Sequence, residues 1–380
     1  MTATEPRSLL RKFQLVALAA AKTATLCLLR LRCSPLEIIE RIIDFLHAAK
    51  NALLACALVS RATLPTSCFH LRALLPVLPE VWAERCHKVT TATLLADGGT
   101  LYGTNECVYY DGRQGAKMEK VLRISCAQIE VLESHDMLLI LSGRRLLKAP
   151  LHLAVGPRAH YGQLQDRLEV LSSDVSFFQV GDHVGKRVVC IVNAGRFTSH
   201  FAVLEAVHRD GTAKLAPFRS FYLPEHARSV HIWNKTIGAS LKNNGFQCVD
   251  PTSLMTFPLP VATQARPEPE DAGPRKCRAM FRADDARFLL CYDRCAFFMD
   301  KAGLSAEHEF ALRWNKGESA KQFAFVAPFL LVFVPNAMQV WRIDSGEKVQ
   351  TVWSEGMQMV CATPRVLVRM GDGRIVRLQM

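Results

Sequence analysis

Two hydrophobic periods divide the chain. Between Pro35 and Leu75 apolar residues recur at helical spacing: Leu36, Ile39, Ile42, Ile43 and Leu46 share one face, with Glu37, Glu40, Arg41 and Asp44 on the other. Ser34-Pro35-Leu36-Glu37 supplies the start signal. The serine caps, the proline occupies the first helical position, where its missing N–H is no loss, and the glutamate is placed to bond back to the cap. Residues 47–51 read as a turn and 52–61 as a second helix with Leu54, Ala55 and Leu58 inward. Leu64-Pro65 ends that helix, because proline disfavours helical geometry in the residue before it. A third short helix is expected over 66–75.

From about Val89 the period changes to apolar runs of four to eight residues separated by turn signals, the pattern of strands. The strand candidates are 121–124, 129–132, 137–141, 188–192, 201–207, 288–292, 296–299, 329–334, 338–343 and 374–378. Asp97-Gly98, Asp111-Gly112, Asp210-Gly211, Asn244-Gly245, Asp344-Ser345-Gly346 and Gly371-Asp372-Gly373 tolerate the positive φ of tight hairpins. The expected fold class is therefore mainly β over 89–380, and roughly 290 residues at ~40 to 45 per four-stranded blade make about seven blades of a propeller. A two-sheet sandwich is the physical alternative. Closure distinguishes them: in a ring the last strand, 374–378, lies beside 89–95 or 101–109, since open edges leave backbone groups unpaired. Residues 258–278, rich in proline with Glu268, Glu270 and Asp271 ahead of Arg275, Lys276 and Arg278, read as a flexible loop between blades.

Composition agrees with a folded chain. Its 380 residues are 49% hydrophobic and 22% charged, which excludes disordered, collagenous and multi-span membrane classes. The net charge of +12 is partly local: Arg7, Arg11, Lys12, Lys22, Arg30 and Arg32 precede any acid after Pro6 until Glu37. Residues 1–33 thus read as a basic leader, helical or disordered, with a mitochondrial presequence as the alternative. No basic helix interleaves with stacking aromatics and no zinc-finger spacing occurs, so no nucleic-acid partner is expected. The longest uncharged run, between Lys321 and Arg342, carries Pro328 and Pro335 and suits two strands and a turn, so no transmembrane segment is expected. Thirteen cysteines, an odd count without a Cys-x-x-Cys pair, sit largely in apolar runs such as that around Cys190 and read as reduced thiols of a cytoplasmic protein. Cys291 and Cys295 read as strand thiols, because no second pair nearby completes a zinc site.

Local signatures of catalysis are missing. Gly181-Asp182-His183-Val184-Gly185-Lys186 is one residue short of a phosphate loop, and Arg187 stands where a magnesium-binding hydroxyl belongs, so it reads as a hairpin turn. No Gly-x-Ser-x-Gly, His-Glu-x-x-His or Gly-x-Gly-x-x-Gly motif occurs, and His200, His208, His226 and His231 read as packed or surface histidines. No catalytic, cofactor-binding or metal-binding residue is assigned, no cofactor is expected, and the chain reads as non-enzymatic.

Two resemblances extend this picture. Pro35-Leu36-Glu37-Ile38-Ile39, Arg41 to Leu46 and Leu53 to Arg61 resemble a degenerate F-box of fungal type, with Ser34-Pro35 in place of the opening Leu-Pro. That resemblance implies binding of a ubiquitin-ligase adaptor through residues 34–75, with Pro35, Leu36, Ile39, Ile43 and Leu58 as candidate contacts; alternatively, the helices only pack on the following domain. Leu101-Tyr102-Gly103-Thr104-Asn105-Glu106, Gln128 to Glu133, Phe221 to Glu225, Phe288 to Asp293 and Val340-Trp341-Arg342-Ile343-Asp344-Ser345-Gly346 are similar to the citron homology (CNH) domain at the C-terminus of fungal Rho exchange factors. This implies a seven-bladed propeller that binds a protein, in many members a small GTPase or its regulators. No kinase or exchange-factor domain is read upstream. The leading expectation is a protein-interaction module for a Rho-type small GTPase or a component of its signalling; the alternative is a substrate receptor of a cullin-type ubiquitin ligase.

Overall fold

The computed structural model describes residues 78–81, 89–112, 118–155, 161–209, 212–243, 245–259, 276–284, 287–300, 312–314, 318–363 and 365–379. All belong to the unit spanning 75–380. The leader 1–33, the F-box-like segment 34–75 and most of the loop 258–278 lie outside the described residues.

The described residues form seven four-stranded antiparallel sheets. Strand β1 (Leu78–Val81) precedes blade 1, which is β2 to β5 (Val89–Leu94, Thr100–Thr104, Val108–Asp111, Glu119–Leu122). Blade 2 is β6 to β9 (Gln128–Leu132, Met137–Ser142, Arg145–Pro150, Glu169–Ser172), with the short helix α1 (Tyr161–Asp166) before its last strand. Blade 3 is β10 to β13 (Val175–His183, Lys186–Ala194, Thr198–Arg209, Thr212–Pro224), and blade 4 is β14 to β17 (Ala227–Ile232, Ile237–Leu241, Phe246–Val249, Thr256–Leu259). Blade 5 is β18 to β21 (Cys277–Arg282, Arg287–Tyr292, Cys295–Asp300, Leu312–Arg313), and blade 6 is β22 to β25 (Gln322–Val326, Phe329–Val334, Ala337–Arg342, Lys348–Trp353). Blade 7 combines β26 to β28 (Gln358–Cys361, Leu367–Arg369, Ile375–Gln379) with β1.

Every expected strand overlaps an observed one, but closure uses a different partner. β28 pairs antiparallel with β1, Leu78 opposite Gln379 and Val81 opposite Val376, upstream of the strands expected to receive it. The reason is geometric: β28 is the third strand of its blade, so the vacant place is the outer edge, whereas β2 is the first strand of the next blade. An outer edge also tolerates Pro79, which has no backbone N–H to donate to a ladder.

Packing explains the near-continuous apolar runs. Each blade is covered on both faces, so successive side chains are buried whichever way they point, as in Met137–Ser142. The buried residues form a cluster at each joint: Leu101 with Ile129 between blades 1 and 2, Leu139 with Ile191 between 2 and 3, and Cys190 with Val230 between 3 and 4. Phe246 joins Leu290, Leu289 joins Phe323, Leu331 joins Val368, and Val89 joins Leu367 in the clusters that complete the circuit. The eight described cysteines are all buried free thiols, Cys291 and Cys295 among them. Burial pushes the pKa of Cys190 up to about 12, so it stays protonated and packs as an apolar group.

Candidate functional site

Polar side chains bridge the blades around the axis. Gln128, the first residue of β6, uses its amide as a surrogate strand: Nε2 donates to the Phe178 carbonyl at 2.6 Å and Oε1 accepts the Phe178 N–H at 3.2 Å. Gln322, the first residue of β22, repeats this with Met359, at 3.3 and 3.0 Å. Elsewhere Thr90 donates to the Cys126 carbonyl at 2.6 Å, and Arg369 donates to the Val89 carbonyl at 2.8 Å across the closing joint. His231 accepts the Met280 N–H on Nε2 at 3.2 Å, joining blades 4 and 5. That bond requires an unprotonated Nε2, and burial lowers the pKa of His231 to about 4.

A concavity opens between blades 2 and 3. It is a cleft of about 620 Å³ whose floor includes Val131, Leu132 and Ala206 and whose walls include Glu133, His135, Asp182, Lys186, Arg187 and Glu205. Strand geometry places these groups: the turn after β6 supplies Glu133 and His135, and the hairpin β10–β11 supplies Asp182 to Arg187. The hairpin β12–β13 overhangs β11 and brings His208 onto His135, with ring centroids 4.6 Å apart. Arg187 pairs with Asp182 at 3.0 Å and Lys186 with Glu205 at 2.9 Å. Burial, then His208, lowers the pKa of His135, with Arg187 acting the same way. Beside the cleft Glu130 is raised to about 7 by burial, against the opposing pull of Arg187.

One rim residue is strained. Val184, at the tip of β10–β11, has φ +49° and is 57% exposed; Gly185 follows at φ +73°, making a mirror-type two-residue turn where the sequence predicts a hairpin. A β-branched residue in that region is an outlier, and such strain gathers at sites of recognition. The cleft thus sets paired charges over an apolar floor.

Pro35, Leu36, Ile39, Ile43 and Leu58 lie outside the described residues. Of the four singled-out histidines, His208 reaches the cleft, His200 lies against Tyr222 at 4.5 Å, His231 bridges blades, and His226 lends its carbonyl to Lys242. Sequence reasoning does not find His135, Arg187 as a cleft wall or the bridging glutamines. The glutamine opening the first strand of blades 2 and 6 is the available signal. Among the described residues no group of three His, Cys, Asp or Glu is placed to hold a metal ion, and no helix is long and apolar enough to cross a membrane.

A family model described as the CNH domain matches residues 99–363, enclosing the resemblance read from Leu101 onward. The chain belongs to the CNH domain family. Over 285 residues it is 24% identical to Rho1 guanine nucleotide exchange factor 1 of Schizosaccharomyces pombe, an alignment covering 68% of this chain and 21% of that protein. It is 24% identical over 253 residues to RHO1 GDP-GTP exchange protein 2 of Saccharomyces cerevisiae, covering 64% and 18% respectively. The chain therefore spans about a fifth of the length of these curated relatives. The solved AfRom2 CNH domain superposes with a TM-score of 0.68 at 22% identity, covering 80% of this chain and 99% of that one.

The CNH motif residues have structural work. A Cβ on Gly103 would lie 2.6 Å from Cys126 Sγ, so the Tyr-Gly-Thr segment keeps its glycine to let blade 2 approach. Thr104 then closes the next turn, its hydroxyl accepting the Cys107 N–H at 2.9 Å.

Proposed function

We propose that this CNH propeller is a non-enzymatic docking module that binds a Rho-type small GTPase or a regulator of one. The observation that carries the reading is the ordered match of residues 99–363 to the CNH family, together with relatives that are Rho1 exchange factors. The polar cleft between blades 2 and 3 is the surface assigned to that partner, because its strained rim and paired charges suit a specific protein contact. Free buried thiols support a reducing compartment, and the cytoplasm is the location proposed. The test is a pull-down of Rho-family GTPases loaded with GDP or a non-hydrolysable GTP analogue. Enrichment lost on Arg187→Glu with Lys186→Glu is expected, and recovery no better than beads alone would end the reading.

The helical pattern of residues 34–75 favours a second reading, a substrate receptor that holds a ubiquitin-ligase adaptor through Pro35, Leu36, Ile39, Ile43 and Leu58. The two readings are compatible, since they engage different parts of the chain.

A further inference from the structure

Blade 3 differs from the other blades at its rim. Its outer strand β13 has 13 residues, whereas β25 of blade 6 has 6 and β21 of blade 5 has 2. β13 pairs with β12 on one side and with no strand among the described residues on the other. An open edge is a row of unpaired N–H and C=O groups. Pro217, Pro224 and the bulge at Phe218, opposite the step from Val203 to Leu204, interrupt it, a usual guard against indiscriminate pairing. Residues 218–223 nevertheless run without proline.

The strand itself carries charge of one sign, and Glu225, just beyond its end, is taken up by Asn243. β13 holds exposed Lys214 and Arg219 and no carboxylate. Arg219 lies over Phe218 at 5.5 Å and Arg196 over Phe197 at 5.3 Å. Neither arginine, nor Lys214, has an acidic partner among the described residues, while Arg144, Arg187, Arg287, Arg342 and Arg374 each sit beside a carboxylate. At the same end of the hairpin Phe197 is 73% exposed and Tyr222 69%. Cations held on aromatic faces, beside exposed aromatic rings and a backbone edge unpaired among the described residues, make a surface suited to an acidic ligand.

We infer that the edge of β13 binds an extended acidic segment of a partner protein. The segment adds as a fifth strand along residues 218–223, its carboxylates meeting Arg196 and Arg219 and an apolar side chain resting on Tyr222. The unpaired backbone favours a peptide over a lipid surface or nucleic acid, neither of which satisfies alternating N–H and C=O groups. This surface adjoins the cleft, where Lys186 lies 5.5 Å from the Phe218 ring, but the inference does not depend on the GTPase reading.

The experiment uses the full chain and a fluorescein-labelled peptide of six Glu-Val repeats, with a Lys-Val peptide as control. Anisotropy is expected to show saturable binding of the acidic peptide alone, weakened at least tenfold by R196E with R219E and several-fold by Y222A. Hydrogen exchange is expected to slow at 218–223 on binding. Circular dichroism checks that the variants fold, and Y222S serves if Y222A does not. Absence of saturation, equal binding of the Lys-Val peptide, or protection confined to other strands would overturn the inference. So would displacement of the peptide by phosphatidylserine vesicles or oligo(dT) that protect no β13 amide.

Discussion

Glu130 and His231 should give this propeller opposite and nearly cancelling pH dependences of stability. Burial raises Glu130 from 4.5 to about 7 and lowers His231 from 6.5 to about 4. For Glu130 the folded state holds the proton more tightly than the unfolded chain, so its stabilisation is full below pH 4.5 and is lost as pH rises through 7. For His231 the unfolded chain holds the proton more tightly, so stability is full above pH 6.5 and is lost as pH falls toward 4. Each group spans about two and a half pH units, and at ~1.4 kcal/mol per unit each is worth about 3 kcal/mol across its range. Replacing one of them exposes the other. E130Q, nearly isosteric and uncharged, is expected to match the parent below about pH 4.5 and to gain up to about 3 kcal/mol by about pH 8. H231Q, whose Oε1 can still accept the Met280 N–H, is expected to differ from the parent by an amount that shifts about 3 kcal/mol in its favour between about pH 7 and 4. Urea unfolding followed by tryptophan fluorescence, at half-unit steps from about pH 4 to 8, measures both across the range in which they titrate. Taking parent-minus-variant differences removes the other titrating groups, His135 included. Differences that stay constant with pH would show that neither group is desolvated as described.

Other expectations are more local. Val184→Asn, relieving positive φ at an exposed β-branched residue, should raise stability by about 1 kcal/mol in the same urea assay. Gln128→Leu leaves the Phe178 N–H and carbonyl without their partner and should cost about 2 kcal/mol, with faster amide exchange at the joint of blades 2 and 3. Gly103→Ala forces a methyl against Cys126 Sγ and Thr91 Cγ2 and should lower stability by about 2 kcal/mol in thermal unfolding. Leu36→Asp with Ile39→Asp should abolish co-purification of a ubiquitin-ligase adaptor while leaving the β-sheet circular dichroism of the propeller unchanged; retained adaptor would refute the F-box-like reading.

The ring was legible because its signal is local. Runs such as Phe329–Val334 are strand-like by composition, and pairs such as Asp97-Gly98 announce hairpins whose geometry demands positive φ, observed at +91° for Gly98. Closure by Leu78–Val81 was not legible, since a short strand containing a proline carries little signal and its role depends on a partner at the far end of the chain. The cleft was hidden for a related reason. Glu133, Asp182 and Glu205 are ordinary polar residues in three separate segments, and only the stacking of blades 2 and 3 brings them together. His208 reads as solitary in the sequence, because its neighbour His135 lies far off along the chain and meets it only through the overhang of β12.

This division of labour explains why family likeness reveals the ring more readily than the partner. Gly103 answers to Cys126, Thr104 to Cys107, and Asp293 to the Lys276 N–H, so these residues of the resemblance are held by contacts inside the propeller. Those contacts serve the ring whatever the protein binds. Apart from β1, which closes the ring, the outer strands bear no such duty: they range from 2 residues in β21 to 13 in β13, and their outer edges face no further blade among the described residues. Length, charge and exposed aromatics there can change at little cost to the core clusters between blades. Partner choice is therefore expected to follow substitutions at the rim of blade 3 and the cleft beside it. Exchanging β12–β13 between this chain and a CNH relative should move binding preference with the hairpin, while substitutions in the motif residues should alter stability and leave preference unchanged.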